Sequence, residues 1–389
     1  MKYLLFLMCF FLAQPTPFAE NATLLTYDNH ELWVSISDTG NTIIATANQY
    51  EPVEGSNSQF RIVHRAIALW DVATLPEEGG TIAPTATYNI ELQDRIGTML
   101  SPDDRFLALL INDQLQIMSV PDLEVLEVFP EFASTDSTFW FGADSMDWSP
   151  DGELLASIAG GKILLWDGEE LQTLIETHAQ GIYATPNGWL LHTFDDSNIA
   201  FMECDQLFEV CETYIESEDE VFQQTQVNYA SQLDMLYVLH RESGYYRDDR
   251  SVWTRDENGI FQQQPWIIEN GYSYGFSTSG TYLVSRAENT DSNLFWRVED
   301  VSQPEFSLPF FPMGREFLPG DEYLIEFSTS DGTLSVYDLG YNLQMVYDLS
   351  QQFNVSDYYV HDLIGASILN NRYYLNLGNA VVVIPLETR

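Results

Sequence analysis

The feature that most constrains this chain is a repeated unit, most complete over residues 146–167 (MDWSPDGELLASIAGGKILLWD). An apolar strand runs into a Ser-Pro-Asp-Gly turn, a second strand follows, and a glycine turn leads to a third strand ending in Trp166 and Asp167. Related turns recur at 37–40 (SDTG), 101–104 (SPDD), 185–188 (TPNG) and 277–280 (STSG), with looser versions at 230–232, 318–321 and 369–371. Each precedes a short apolar strand, such as 106–111, 282–285 or 323–327. The ends of the third strands supply a second ruler. Asp71, Asp122, Asp167, Asp205, Asp256, Asp300 and Asp338 are spaced by 51, 45, 38, 51, 44 and 38 residues.

Short strands with turn signals, grouped in units of about 40 to 50 residues, are the signature of propeller blades. No segment keeps a 3.6-residue period for three turns, so a helical reading fails. Ring closure follows from the two ends. The last unit supplies three strands, near 363–367, 373–377 and 380–384, and lacks a fourth. Residues 22–27 (ATLLTY) form a strand with no blade of its own. Placed on the outer edge of the last blade, that strand completes the ring and covers an exposed edge. The expectation is an all-β, single-domain propeller over residues 20–389, with eight four-stranded blades of roughly 46 residues each. Seven blades is the alternative.

Composition narrows what such a ring can bind. Fifty-nine acidic against 15 basic residues give a net charge of −44, while 45% of the chain is hydrophobic, too much for a disordered acidic tail. So anionic a protein is repelled by phosphate, which excludes sustained nucleic-acid binding and docking on anionic lipid.

The first 19 residues read as a secretory signal: Lys2, an apolar run over 4–13, and a small-residue exit at Ala19. Ten apolar residues are too few for a bilayer span, which takes about 20, and no later stretch is long enough, so no membrane insertion is expected. Cys9 leaves with the signal. The remaining pair, Cys204 and Cys211, reads as a disulfide in an exported chain.

The unit at 149–167 resembles a WD-repeat blade of the WD/YVTN type, and Ile67–Asp71 (IALWD) resembles the end of another; the other six units are degenerate. The resemblance implies a rigid scaffold with broad binding surfaces, and it specifies no ligand. Of the family's structural His, Ser/Thr, Asp and Trp tetrad, only Trp166 and His178 have counterparts, and the spacing after His178 is too short.

In a propeller, the loops joining second to third strands share one face with the connections between blades. Two such loops are long. Residues 49–64 carry Tyr50, Phe60, Arg61 and His64; residues 240–251 carry Arg241, Tyr245, Tyr246, Arg247 and Arg250, with Trp253 and Arg255 following. Four of 13 arginines therefore fall within 241–255, against an acidic background. Blades one and five stand across the channel from each other, and Trp140, in the connection 131–145, belongs to the same face. Arginine and aromatic residues are enriched where proteins bind, and arginine forks match carboxylates. Arg61, His64, Trp140, Arg241, Tyr245, Tyr246, Arg247, Arg250 and Trp253 are thus the candidate binding residues, for a partner protein or an acidic or glycan-like ligand. The competing reading has the arginines neutralise Asp248, Asp249 and Asp256 while the aromatics pack the loop.

No metal or cofactor is expected. The six histidines lack His-x-x-x-His spacing, the acidic runs lack an alternating calcium loop, and neither a nucleophile elbow nor a phosphate-binding glycine loop occurs. The function expected is a secreted, monomeric, non-catalytic binding scaffold. The alternative is a propeller enzyme of glycosidase, lyase or dehydrogenase type with its site in the central channel, for which no catalytic residue can be nominated.

Overall fold

The computed structural model describes residues 22–385 except 28–29, 38, 54–59, 77–78, 93–95, 112–113, 130–145, 160–161, 177–178, 196–197, 218–221, 231–233, 243–247, 257–260, 264–270, 277–280, 288–291, 298–303, 310–314, 318–322, 329–331, 341, 349–364 and 370–371. Eight sheets, antiparallel except for one pair of strands, follow one another along the chain as the blades of a propeller. Blade one spans 31–90, and blades two to seven span 96–129, 146–176, 179–217, 222–263, 271–309 and 315–348. Blade eight is built from 365–385 and the N-terminal strand. The first strands of neighbouring blades approach one another, which places them innermost, around the channel.

Six strands position the site: β1 (Thr23–Thr26), β2 (Glu31–Ile36), β3 (Thr42–Pro52), β4 (Phe60–Asp71), β5 (Gly80–Ile82) and β6 (Ala86–Ile90). As the sequence predicts, β1 completes blade eight, pairing antiparallel with Ala380–Pro385 in the register Thr23↔Val383 to Thr26↔Ala380. It is not the outer edge, however. Strand β5, an excursion between the third and fourth strands of blade one, pairs parallel with β1 (Thr23↔Gly80 to Leu25↔Ile82) and makes this sheet five-stranded. The Trp70 indole N–H donates to the Ile82 carbonyl at 3.3 Å, fastening that strand to blade one.

The core lies between blades, because each sheet is apolar on both faces. Leu25, Leu32, Ile43, Ala45, Trp70, Tyr374 and Val383 fill the seam between blades eight and one. Ile44, Ile67, Leu69, Leu107 and Leu109 fill the next seam. Trp148 and Trp166 meet edge to face at 5.8 Å between blades two and three.

The repeated turn has a local cause. Ser149 Oγ donates to Asp151 at 2.6 Å and accepts from the Leu154 amide at 2.9 Å, so a short polar side chain replaces a missing ladder bond. Ser101 does the same with Asp103 and the Phe106 amide. The third-strand aspartates cap the following turn: Asp71 accepts from the Ala73 amide, Asp167 from Glu169 and Glu170, Asp205 from Glu209 and Asp338 from Asn342. Asp122 departs from that pattern. The strand of blade two ends at Ser119, whose hydroxyl accepts from the Glu124 amide and takes the capping role.

Candidate functional site

The two segments read from the sequence as long loops are in large part strand. In blade one, β3 and β4 run for 11 and 12 residues, against 5 or 6 for the middle strands of blades two and three. Their ladder continues past the ring through Gln49↔His64, Tyr50↔Ile62 and Glu51↔Arg61 to Pro52↔Phe60, with a bulge between Gln49 and Tyr50. In blade five, Arg241 pairs with Asp248 and Leu239 with Arg250 across strands of eight residues each. The blade-one hairpin ends in exposed aromatic surface, with Phe60 64% and Tyr50 39% accessible.

The other candidate residues take varied places. Arg61 faces Glu51 across the hairpin at 3.6 Å with both side chains well exposed, a geometry worth at most about 1 kcal/mol. His64 turns to the seam with blade eight. Its Nδ1 lies 2.8 Å from Nε2 of buried His30, whose own Nδ1 is 3.1 Å from the Tyr27 carbonyl, and its Nε2 is 3.2 Å from Asn89. That relay ties the segment after β1 into blade one. Trp253 is half-buried against Tyr183, Leu190, Phe201, Leu236 and Phe261, between blades four and five. Trp140, Tyr245, Tyr246 and Arg247 lie outside the described residues. Arg255, the remaining member of the arginine cluster, is committed to structure: its guanidinium forks onto Glu203 of blade four at 2.8 and 2.8 Å, bonds Asp234, and lies 4.0 Å over the Phe261 ring.

What sequence reasoning missed lies beside the hairpin, on the side of blade one that faces blade two. Sheet register puts Glu31, Asn48, Arg65 and Ile90 in one row and Trp33, Thr46, Ile67 and Tyr88 in the next. Ile67 and Ile90 belong to the apolar seam, while Trp33, on the innermost strand, stays 56% exposed. Arg65 Nε donates to Asn48 Oδ1 at 2.6 Å. Burial, and then the Glu31 carboxylate that its hydroxyl bonds, push the Tyr50 phenol up from its ordinary value. The signal in the sequence is an aromatic at an outward position of an otherwise alternating strand, ELWVSI, next to a carboxylate. Among the described residues, no group of three or more His, Cys, Asp or Glu converges as a metal site.

No known family model matches the sequence, and no curated protein matches it. The fold is similar to solved propeller structures. A crystal structure of a eukaryotic initiation factor matches with a TM-score of 0.53 at 10% identity, over 83% of this chain and 78% of that one. Porphyromonas gingivalis dipeptidyl peptidase 4 matches with a TM-score of 0.51 at 11% identity, over 83% of this chain and 53% of the peptidase chain. This chain thus spans about half the length of that peptidase. Similarity at such identities is a similarity of fold alone.

Proposed function

We propose that this protein is an exported binding scaffold of WD-repeat type, without chemistry of its own, that takes its ligand on the loop-rich face. The observation that carries the reading is the blade-one hairpin, whose ladder runs past the ring and ends in exposed Tyr50 and Phe60. Blade packing does not require that length, and exposed apolar surface on a rigid, fully paired support is a recurrent mark of recognition. A cross-strand disulfide supports export, as does the secretory signal read from the sequence. No helix among the described residues is long and apolar enough to cross a membrane. The ligand we expect is a protein or a glycan.

The test is to replace residues 52–60 by an Asn-Gly turn, and separately Arg241, Arg247 and Arg250 by Ala. Each variant and the intact protein are then immobilised and exposed to native extracellular medium. Material captured by the intact protein and lost by the hairpin variant, with circular dichroism unchanged, supports the reading. Equal capture by both variants places the site elsewhere, and chemical conversion of the captured material would replace a scaffold by an enzyme.

A further inference from the structure

The same face carries a more specific arrangement, and this inference rests on the scaffold reading. Four tryptophans, Trp70, Trp148, Trp166 and Trp189, are at most 2% exposed, whereas Trp33 is 56% exposed on an innermost strand. Leaving that much indole in water forgoes the burial that the other four obtain, so its position is not explained by packing. Around it the register gathers polar groups of one kind. Glu31 and Asn48 stand opposite each other one row above Trp33 and Thr46, and Arg65 continues the Glu31 row. Tyr50 reaches Glu31 and Arg65 holds Asn48, so carboxylate, amide, phenol and guanidinium are fixed before any ligand arrives.

We infer that the seam between blades one and two is a subsite for a neutral sugar ring, stacked on Trp33 and read at its hydroxyls by Glu31, Tyr50 and Arg65, with buried Asn48 positioning the Arg65 guanidinium. The apolar face of a pyranose matches an exposed indole, and its hydroxyls both donate and accept. Carboxylate accepts only, guanidinium donates only, and phenol does both, which together suit a ring of hydroxyls. An anionic sugar is excluded by Glu31 within the subsite and by a net charge of −44 on the chain.

The test titrates the full chain with neutral pentasaccharides of glucose, mannose and galactose, and with a hexuronate pentamer, by calorimetry and saturation-transfer NMR. One neutral series should bind saturably. Trp33→Ala should weaken it about tenfold or more, the factor that 1.4 kcal/mol of stacking represents, and Trp33→Phe should restore most of the affinity. Glu31→Gln should weaken binding several-fold with the unfolding midpoint unchanged. Tighter binding of the hexuronate, full affinity in Trp33→Ala, or no saturable binding of any neutral series overturns the subsite. Loss of capture on shortening the hairpin, together with full capture by Trp33→Ala, would leave the scaffold reading standing and remove only the sugar.

Discussion

His192 and Trp166 each bury a ring nitrogen that has no hydrogen-bond partner, and the two cases differ in consequence. Trp166 is held by packing, edge to face with Trp148 at 5.8 Å and with Phe106 at 5.2 Å, and its indole N–H makes none of the side-chain bonds that the WD resemblance implies. His192 can change charge. Its ring lies so close over Gly181 that an added Cβ would come within 2.3 Å, Tyr183 stacks on it at 6.0 Å, and burial pushes its pKa down to about 4. The unfolded chain takes up that proton near pH 6.5, so the contribution of neutral His192 is complete above about 6.5 and is lost as pH falls through about 4. His192→Leu should therefore flatten the fall in urea midpoint between pH 6.5 and 4, and an unchanged slope would assign that fall to other groups. At lower pH the turn carboxylates take over. The Ser149 hydroxyl and then the Glu153 amide hold Asp151 below its ordinary value, as the Glu170 and Glu169 amides hold Asp167. Their contribution is present above about pH 4 and disappears on further acidification. None of this was legible from residue types, since a lone histidine in a strand reads the same whether its neighbour across the ladder is glycine or not. Arginine clustering likewise drew attention to 241–255 but could not reveal that Arg255 is spent between two blades.

At the scale of elements, the disulfide shows how much a pattern can predict. Two cysteines seven residues apart, read together with a secretory signal, predict a bridge, and Cys204 and Cys211 stand directly opposite across a hairpin of blade four, their Cα atoms 4.1 Å apart. Inside the closed tip, Phe208 stacks on Trp189 at 5.8 Å and the Trp189 indole donates to the Gln206 carbonyl at 3.0 Å, so the bridge supports a turn that is already anchored. Replacing both cysteines by Ala should cost roughly 2 kcal/mol of unfolding free energy in urea, the size expected for so short a loop. Mass spectrometry of the protein purified without reductant from an oxidising compartment should find the two cysteine peptides linked until reduced; free thiols there would refute the pairing. Loop length was the weaker inference. The alternation in YEP and FRI is compatible with a free loop and with a paired ladder, because the exposed end of the hairpin has no buried face to demand apolar residues. Only the partner strand at hydrogen-bonding distance decides between them.

For the whole molecule the decisive event is closure, and it uses residues from both ends of the chain. Strand β1 brings Leu24 and Leu25, 6% and 0% exposed, into the last blade. The Tyr374 hydroxyl donates to the Gly40 carbonyl at 2.9 Å across the same seam, and the Asn376 amide to the Leu32 carbonyl at 3.3 Å. Deleting residues 20–27 should lower unfolding free energy by at least about 5 kcal/mol, from two buried leucines and a lost ladder, as measured in urea. Full stability after that deletion would mean the ring closes without β1. The charge of −44 also finds part of its place here. Turn aspartates and third-strand aspartates sit on the face opposite the long hairpins, where they accept backbone N–H bonds, so acidity there is a product of turn chemistry as well as of solubility. The sequence by itself determined the blade unit, the closing strand and the cysteine pair, and narrowed the ring to eight or seven blades, because turn residues and strand alternation are local rules that each repeat restates. Only the tertiary structure decided that β5 straps β1, that His30 meets His64, and that Trp33, Glu31 and Arg65 share one seam. Those contacts join residues up to 57 positions apart through sheet register and blade adjacency, and no local pattern in the chain encodes them.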